Sequence, residues 1–473
     1  MTDAAPDHSE PASPEAVDLL VTAEVLLPLD GVHDVIAGAE IAVRDGRVAY
    51  AGPARPAGAW APAERLDGAG KAALPGFVNS HCHTASTVFR SQTDDGAGAR
   101  ALYSVAFRGE GVLSPEDWAV LARLGTAEMI LAGYTTLNDF WYCPDAMAEA
   151  ALATGMRMQL ASEIVDVDKS RLADGDWSRD PRLGERSLRA GLDVAERWHG
   201  AGEGLVTARI GPHAVDTCAE GLHREATAEA RYRGLGLHCH AAQSRTEVDA
   251  IRAWHGCGPA EWLARIGVLG PDWVLAHLSF AGPDDIRAVA ETGAANAHAA
   301  CIYPRRGVRA PLGALRAAGV RVGLASDWLL NDPWEGMRTA AGQLRTEAGD
   351  HRAMTSLEAL EMATAGAAAA IGLDERIGRL TAGREADLIL VDLDRPHLQP
   401  FFAEPASLVW YARPTDVTHS VVRGRVVMRD RQVIGIDLPE ALGAVKARTD
   451  RLGGLMRSVG GVARMSACPC GQH

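Results

Sequence analysis

Residues Asn79-Ser80-His81-Cys82-His83-Thr84-Ala85-Ser86 follow directly on the run Pro75-Gly76-Phe77-Val78. Successive side chains on a strand alternate faces, so His81 and His83 point the same way. A pair of imidazoles at a strand end offers two metal-ligating nitrogens to one point in space. Alone, such a pair is common on surface strands. Here three more polar residues end three more apolar runs: His240 in His238-Cys239-His240-Ala241-Ala242-Gln243, His277 in Val274-Leu275-Ala276-His277, and Asp327 in Gly323-Leu324-Ala325-Ser326-Asp327. Neutral imidazoles with one carboxylate suit Zn²⁺, Fe²⁺ or a similar divalent ion with a position left for water. Such an ion lowers the pKa of water toward ~7 and supplies hydroxide. Asp327 is then the natural proton acceptor, and His277 can orient the hydroxide or polarise the group under attack. Taken singly, His277 reads equally well as a satisfied core histidine and Asp327 as a helix N-cap. Four such residues, all at strand ends, read as a site.

The elements that must position them alternate regularly. Candidate strands are Ala73–Asn79, Tyr134–Phe140, Met158–Val165, Val206–Pro212, Gly234–His240, Trp273–His277, Ala294–Ala299 and Val320–Ser326. Helical stretches such as Pro115–Ala132, Glu220–Tyr232, Pro283–Glu291 and Ser356–Ile371 lie between or after them. Eight βα units predict an α/β fold, a (β/α)₈ TIM-type barrel over residues 74–375, whose strand C-termini share one mouth. A doubly wound open sheet ranks second, because the polar residues gather at many strand ends and not at one crevice. The flanks, 18–73 and 376–436, read as short strands that fold together into a small β-sandwich, with a hairpin at Val43-Arg44-Asp45-Gly46-Arg47-Val48. Residues 1–17 read as a disordered tail, and 437–473 as an amphipathic closing helix (Pro439–Ser458) and tail.

Composition narrows the class. The chain has 473 residues, 47% hydrophobic and 23% charged, with a net charge of −14. That charge argues against a nucleic-acid partner and against an anionic membrane surface. No signal peptide or spanning segment is expected, and eight scattered cysteines read as free thiols in a reducing cytoplasm. Cys468-Pro469-Cys470 with His473 reads as a frayed tail. Lysine occurs only at Lys71, Lys169 and Lys446.

These residues resemble the amidohydrolase superfamily, in the branch of S-adenosylhomocysteine and methylthioadenosine deaminases, triazine hydrolases and guanine-type deaminases. The likeness extends to Leu74-Pro75-Gly76-Phe77-Val78-Asn79, Gly133-Tyr134-Thr135-Thr136, Gly211-Pro212-His213-Ala214 and Gly378-Arg379-Leu380-Thr381-Ala382-Gly383. It implies His81, His83, His240 and Asp327 as metal ligands, His277 as a catalytic histidine, and His213 as a contact to the substrate. Members with two metals use a carboxylated lysine at the end of strand four. That strand carries none here, and Lys169 follows strand three on a polar loop. One divalent metal per subunit is therefore expected, zinc first, with iron, manganese or nickel as alternatives. The resemblance also implies a homodimer.

The chain departs from the branch at Gln243, where its deaminases carry a glutamate that protonates the ring and shuttles a proton to ammonia. A glutamine can only exchange hydrogen bonds, and losing a positioned acid–base group costs on the order of 10²–10⁴ in rate. Gln243 is retained as a catalytic position. His277, Asp327, His213 and Glu247 are the other proton sources, Glu247 reading mainly as a solvated helix position. Trp328, Trp141 and Tyr142 are candidates to stack on a planar ring, and Arg90 and Asp94 to meet its polar substituents. The expected activity is hydrolytic deamination of a small amino-substituted nitrogen heterocycle of purine, pyrimidine, pterin or triazine type. The alternatives are hydrolysis of a different bond (dehalogenation, dealkylamination, or opening of a cyclic amide or imidazolone) and a metal-binding pseudoenzyme.

Overall fold

The computed structural model describes residues 13–33, 35–92 and 102–460. Asp94, Cys468, Cys470 and His473 lie outside the described residues, as does most of the expected N-terminal tail. The chain begins with five strands, β1 (Glu15–Leu26), β2 (Ile36–Arg44), β3 (Arg47–Pro53), β4 (Trp60–Leu66) and β5 (Lys71–Pro75). β1 starts inside the segment expected to be tail. The β2–β3 turn needs two residues with positive φ, and Asp45 (52°) and Gly46 (71°) supply them. A Cβ on Gly46 would stand 2.8 Å from the carbonyl oxygen of Arg423, so the glycine also admits the C-terminal flank.

Eight parallel strands follow: β6 (Phe77–Cys82), β7 (Tyr134–Phe140), β8 (Arg157–Ile164), β9 (Val206–Pro212), β10 (Leu237–Ala241), β11 (Trp273–His277), β12 (Ala295–Ala299) and β13 (Arg321–Ala325). They pair in chain order, and the ring closes at a parallel bridge between Cys82 and Asp327. The expected first strand, Ala73–Asn79, is in fact the end of β5 and the start of β6, which belong to different sheets. The chain breaks at Pro75-Gly76, where a Cβ on Gly76 would come within 2.2 Å of the Thr135 side chain.

The chain ends with β14 (Leu388–Asp392), β15 (Val417–Val422), β16 (Arg425–Arg429) and β17 (Gln432–Val433). These join the first five strands in a nine-stranded mixed sheet, ordered β17-β16-β15-β14-β5-β1-β2-β3 with β4 beside β1. Leu19, Val21, Ile41 and Val43 from the first flank share a core with Leu388, Leu390 and Val421 from the second. The barrel with a small β unit built from both flanks is thus borne out. Arg157 at the start of β8 ties the two together: it is buried, bonds Thr136 Oγ1 at 3.0 Å, and ion-pairs with Glu385 and Asp387 just before β14.

Two helices are shorter than expected. Residues 356–371 split into Ser356–Ala363 and Ala365–Ala370 at Thr364, whose φ/ψ of −130°/−94° is not helical. The closing helix is two, Leu438–Lys446 and Thr449–Ser458.

Candidate active site

Five side chains converge at the C-terminal mouth of the barrel, and strand parity accounts for the first two. His81 comes from β6 and His83 from the residue after it, with ring centres 4.7 Å apart. His240 comes from β10 and His277 from the last residue of β11, their rings stacked at 5.2 Å. Asp327 follows β13. His277 (φ 79°) and Asp327 (φ 58°) sit in left-handed backbone, as do Trp141 (84°) and Ala242 (49°). Non-glycine residues are strained there, and such strain gathers at functional sites. Asn79 latches β6 to the turn carrying Asp327: its Nδ2 donates to Ser326 Oγ (2.7 Å) and its Oδ1 accepts from Ser326 N (3.1 Å).

Hydrogen bonds fix which nitrogens face inward. His83 Nδ1 donates to the Phe140 carbonyl at 2.9 Å, and His240 Nδ1 to the His213 carbonyl at 2.7 Å. Each Nε2 therefore carries a lone pair, and the two stand 3.3 Å apart with no proton to share. His81 Nδ1 meets His238 Nε2 at 2.9 Å, while His81 Nε2 is buried without a hydrogen-bond partner. Asp327 Oδ1 lies 3.4 Å from His81 Nε2 and 3.5 Å from His83 Nε2. Donors on a tetrahedral ion with bonds of about 2.0–2.1 Å are separated by about 3.4 Å. The lone pairs facing one another, the orphaned Nε2 and these spacings fit a divalent ion. Two triplets meet the distance requirement for one ion: His81, His83 and Asp327, and His81, His240 and His277.

The electrostatics favour the ligating forms. Burial pushes the His81 imidazole down to about 3 and, with the neighbouring His81, that of His83 to about 3. Burial likewise holds His240 and His277 well below the ordinary range. All four are neutral at pH 7. Burial raises the Asp327 carboxyl to about 6, against the opposing pull of His83 and Arg306. A cation against it would favour the carboxylate.

The cavity above these residues is walled by Trp141, Tyr142, Trp328, Phe280 and Tyr303, with Gln243 on its surface. Trp141, Trp328 and Gln243 all line this cavity. Tyr303 Oη donates to the Gln243 carbonyl at 3.0 Å. His213 is fully buried, bonds Thr217 Oγ1 through Nδ1 at 3.0 Å, and packs edge-on against Trp141 at 4.7 Å. Its Nε2 has no hydrogen-bond partner and lies 3.9 Å from Glu163 Oε1.

Three expectations need correction. Arg90 does not face the cavity: it forks onto both carboxylate oxygens of Glu128 (2.8 and 2.7 Å), and its Nε donates to the Leu329 carbonyl. Glu247 is not solvated. It is buried and accepts the backbone N–H groups of Ala242 (3.0 Å) and Gln243 (2.7 Å), holding the loop that carries Gln243. Lys169 is not on an open polar loop but buried between Glu110 and Glu163, with Nζ 4.3 Å from the centre of the Trp141 ring. Sequence reasoning also missed Tyr303 and Arg306, which reach the cavity from the loop after β12 and carry no spacing signal.

The profile of the amidohydrolase family matches residues 72–427. A 5-methylthioadenosine/S-adenosylhomocysteine deaminase of Moorella thermoacetica is 34% identical over 438 residues, 91% of this chain and 98% of the relative. One from Halobacterium salinarum is 36% identical over 381 residues, 79% and 85% of the two chains. Among solved structures, an adenosine deaminase of Xanthomonas campestris with bound zinc superposes with a TM-score of 0.85 at 25% identity, covering 93% of this chain and 99% of that one. An atrazine chlorohydrolase of Arthrobacter aurescens in complex with zinc shares the fold, with a TM-score of 0.80 at 24% identity over 91% and 100% of the chains. With its closed barrel, strand-end histidines and flanking sheet, the chain belongs to the amidohydrolase family.

Proposed function

We propose that this protein is a metal-dependent hydrolytic deaminase that replaces an amino group on a nitrogen heterocycle, of purine, pyrimidine, pterin or triazine type, with a hydroxyl or oxo group. The observation that carries the reading is the cluster in which Asp327 Oδ1 lies 3.4 Å from His81 Nε2 and 3.5 Å from His83 Nε2, with His240 Nε2 3.3 Å from His83 Nε2. These four residues would hold one divalent ion, zinc first. Such an ion makes hydroxide available from water at neutral pH. The Asp327 carboxylate would take a proton from the attacking water and pass it to the departing nitrogen as ammonia leaves. His277, at the same mouth, orients the attacked substituent through a buried nitrogen, Nδ1, that no protein group occupies. Trp141, Tyr142 and Trp328 supply flat faces for the ring. The deaminase names carried by the relatives agree with this chemistry.

The test is ammonia release from a panel of amino-substituted rings, with metal analysis of the purified protein. His81→Ala and Asp327→Ala should each lose metal or at least 10²-fold in turnover. Full activity in either variant contradicts the mechanism.

Gln243 favours a second reading, in which the same site breaks a different bond. Its neutral amide cannot donate a proton to a ring nitrogen, so displacement of halide or alkylamine, or opening of a cyclic amide, suits it better than deamination of a weakly basic ring. Chloride, alkylamine or ring-opened product from the same panel, with no ammonia, identifies that case. Gln243→Glu should then bring ammonia release into the detectable range.

No described helix is long and apolar enough to cross a membrane. The six cysteines among the described residues are unpaired, which suits the cytoplasmic location we propose. A homodimer completes the proposal, and light scattering of the purified protein tests it.

A further inference from the structure

Arg306 lines the cavity from the short turn Pro304–Arg306 that follows β12. Its guanidinium carbon lies 5.4 Å from the centre of the Trp328 ring, one of the flat faces offered to a substrate. Its Nη2 is buried and has no hydrogen-bond partner; among the described residues its charge acts on the Asp327 carboxyl without forming an ion pair. By contrast, Arg90 pairs with Glu128 and Arg179 with Asp166. A desolvated guanidinium donor left unpaired is costly, so a site that keeps one has a use for it.

The charge balance of the cavity points the same way. Among its described lining residues only Asp327 and Arg306 carry formal charge, and they cancel. A divalent ion with one hydroxide makes the space positive. A neutral ring could offer Nη2 only a ring nitrogen or carbonyl and would leave this positive charge uncompensated. A ring carrying a negative oxygen would answer both, with the ring stacked on Trp328 and the oxygen at the guanidinium edge. The planar fork of arginine is suited to an oxyanion in the plane of such a ring.

Resting on the deaminase reading above, we propose that the substrate is an anionic heterocycle, whose carboxylate or ionised ring oxygen pairs with Arg306 while the amino-bearing carbon faces Asp327 and His277. Arg306 is then the residue that sets substrate class.

Matched pairs test it with the metal-loaded enzyme: pterin against pterin-6-carboxylate, and cytosine against cytosine-5-carboxylate, by ammonia release. A further arm reads pterin below and above ionisation of its ring lactam, which separates a ring oxygen from a carboxylate as the anion. The expected result is a kcat/KM at least tenfold higher for an anionic member, expressed mainly in KM and weakened by salt. Arg306→Gln should bring the ratio within a pair to near one, and Arg306→Lys should keep part of it. Ammonia release that favours neutral members, or a ratio unchanged in Arg306→Gln, overturns the anionic class and leaves the deaminase reading standing. If no ring releases ammonia, the deaminase reading fails and binding decides the inference, through quenching of tryptophan fluorescence by the same pairs. Tenfold tighter binding of the carboxylates, lost in Arg306→Gln, supports the anionic class whatever bond is broken. Equal binding within the pairs overturns it.

Discussion

Asp327 donates its backbone N–H to the carbonyl of His81 at 3.0 Å, while its carboxylate Oδ1 stands 3.4 Å from Nε2 of the same residue. His83 N completes the clasp by donating to the Asp327 carbonyl at 3.1 Å. The last β-bridge of the barrel and the candidate ligand set are therefore built from the same residues, so metal occupancy should be felt by the fold. Stripping the protein with a chelator is expected to lower its melting temperature, and stoichiometric zinc to restore it. A ligand at a hundred to a thousand times its Kd stabilises by about 3–4 kcal/mol. Asp327→Asn should show a much smaller shift in the same scanning calorimetry.

Glu247 offers a prediction that separates positioning from chemistry. Its carboxylate satisfies two buried N–H groups, those of Ala242 and Gln243. Glu247→Ala orphans both, at a cost of about 1–3 kcal/mol each. Denaturant unfolding should show that loss, and kcat should fall as the Gln243 loop loosens, with metal content unchanged. Glu247→Gln, which keeps one acceptor, should fall between.

The junction between barrel and sheet predicts a dependence on pH. Burial would raise the Glu385 carboxyl, but the charge of Arg157 and the bonds from Arg376 outweigh it and hold the group below its ordinary value. A carboxyl depressed in the folded state contributes stability that is full above its unfolded pKa, about 4.3, and is lost as pH falls through the folded value. Acid unfolding should therefore steepen below about pH 4. Arg157→Met leaves Glu385 and Asp387 without their shared partner, a loss of about 3–5 kcal/mol at neutral pH. Its stability should also depend less steeply on acid. Equilibrium unfolding between pH 3 and pH 7 measures both.

The barrel and the heart of the site were legible because they obey local rules. Period-two apolar runs ending in His81, His240, His277 and Asp327 place those residues at strand C-termini, which a closed barrel brings to one mouth. What escaped depends on distant partners or on loop paths. Lys169 is buried only because Glu110 and Glu163, far apart in sequence, neutralise it. Glu247 occupies a polar helical position, but its carboxylate turns back over the helix start onto the strand-end loop, a geometry that helical periodicity does not carry. Arg90 is drawn away by Glu128 on a neighbouring helix. Arg306 and Tyr303 reach the cavity through the course of the chain after β12, and neither residue type nor spacing announces that course. The break at Pro75-Gly76 hid inside an apolar run because both halves are buried, in different sheets.

In the function proposed above, one divalent ion, held by His81, His83, His240 and Asp327, makes this chain a hydrolase that releases ammonia from a ring. The most direct measurement is ammonia release from the metal-stripped enzyme titrated with zinc. No turnover is expected without metal, followed by a linear rise that ends at one equivalent per chain. Activity that is indifferent to metal, or that keeps rising to a second equivalent, would contradict it.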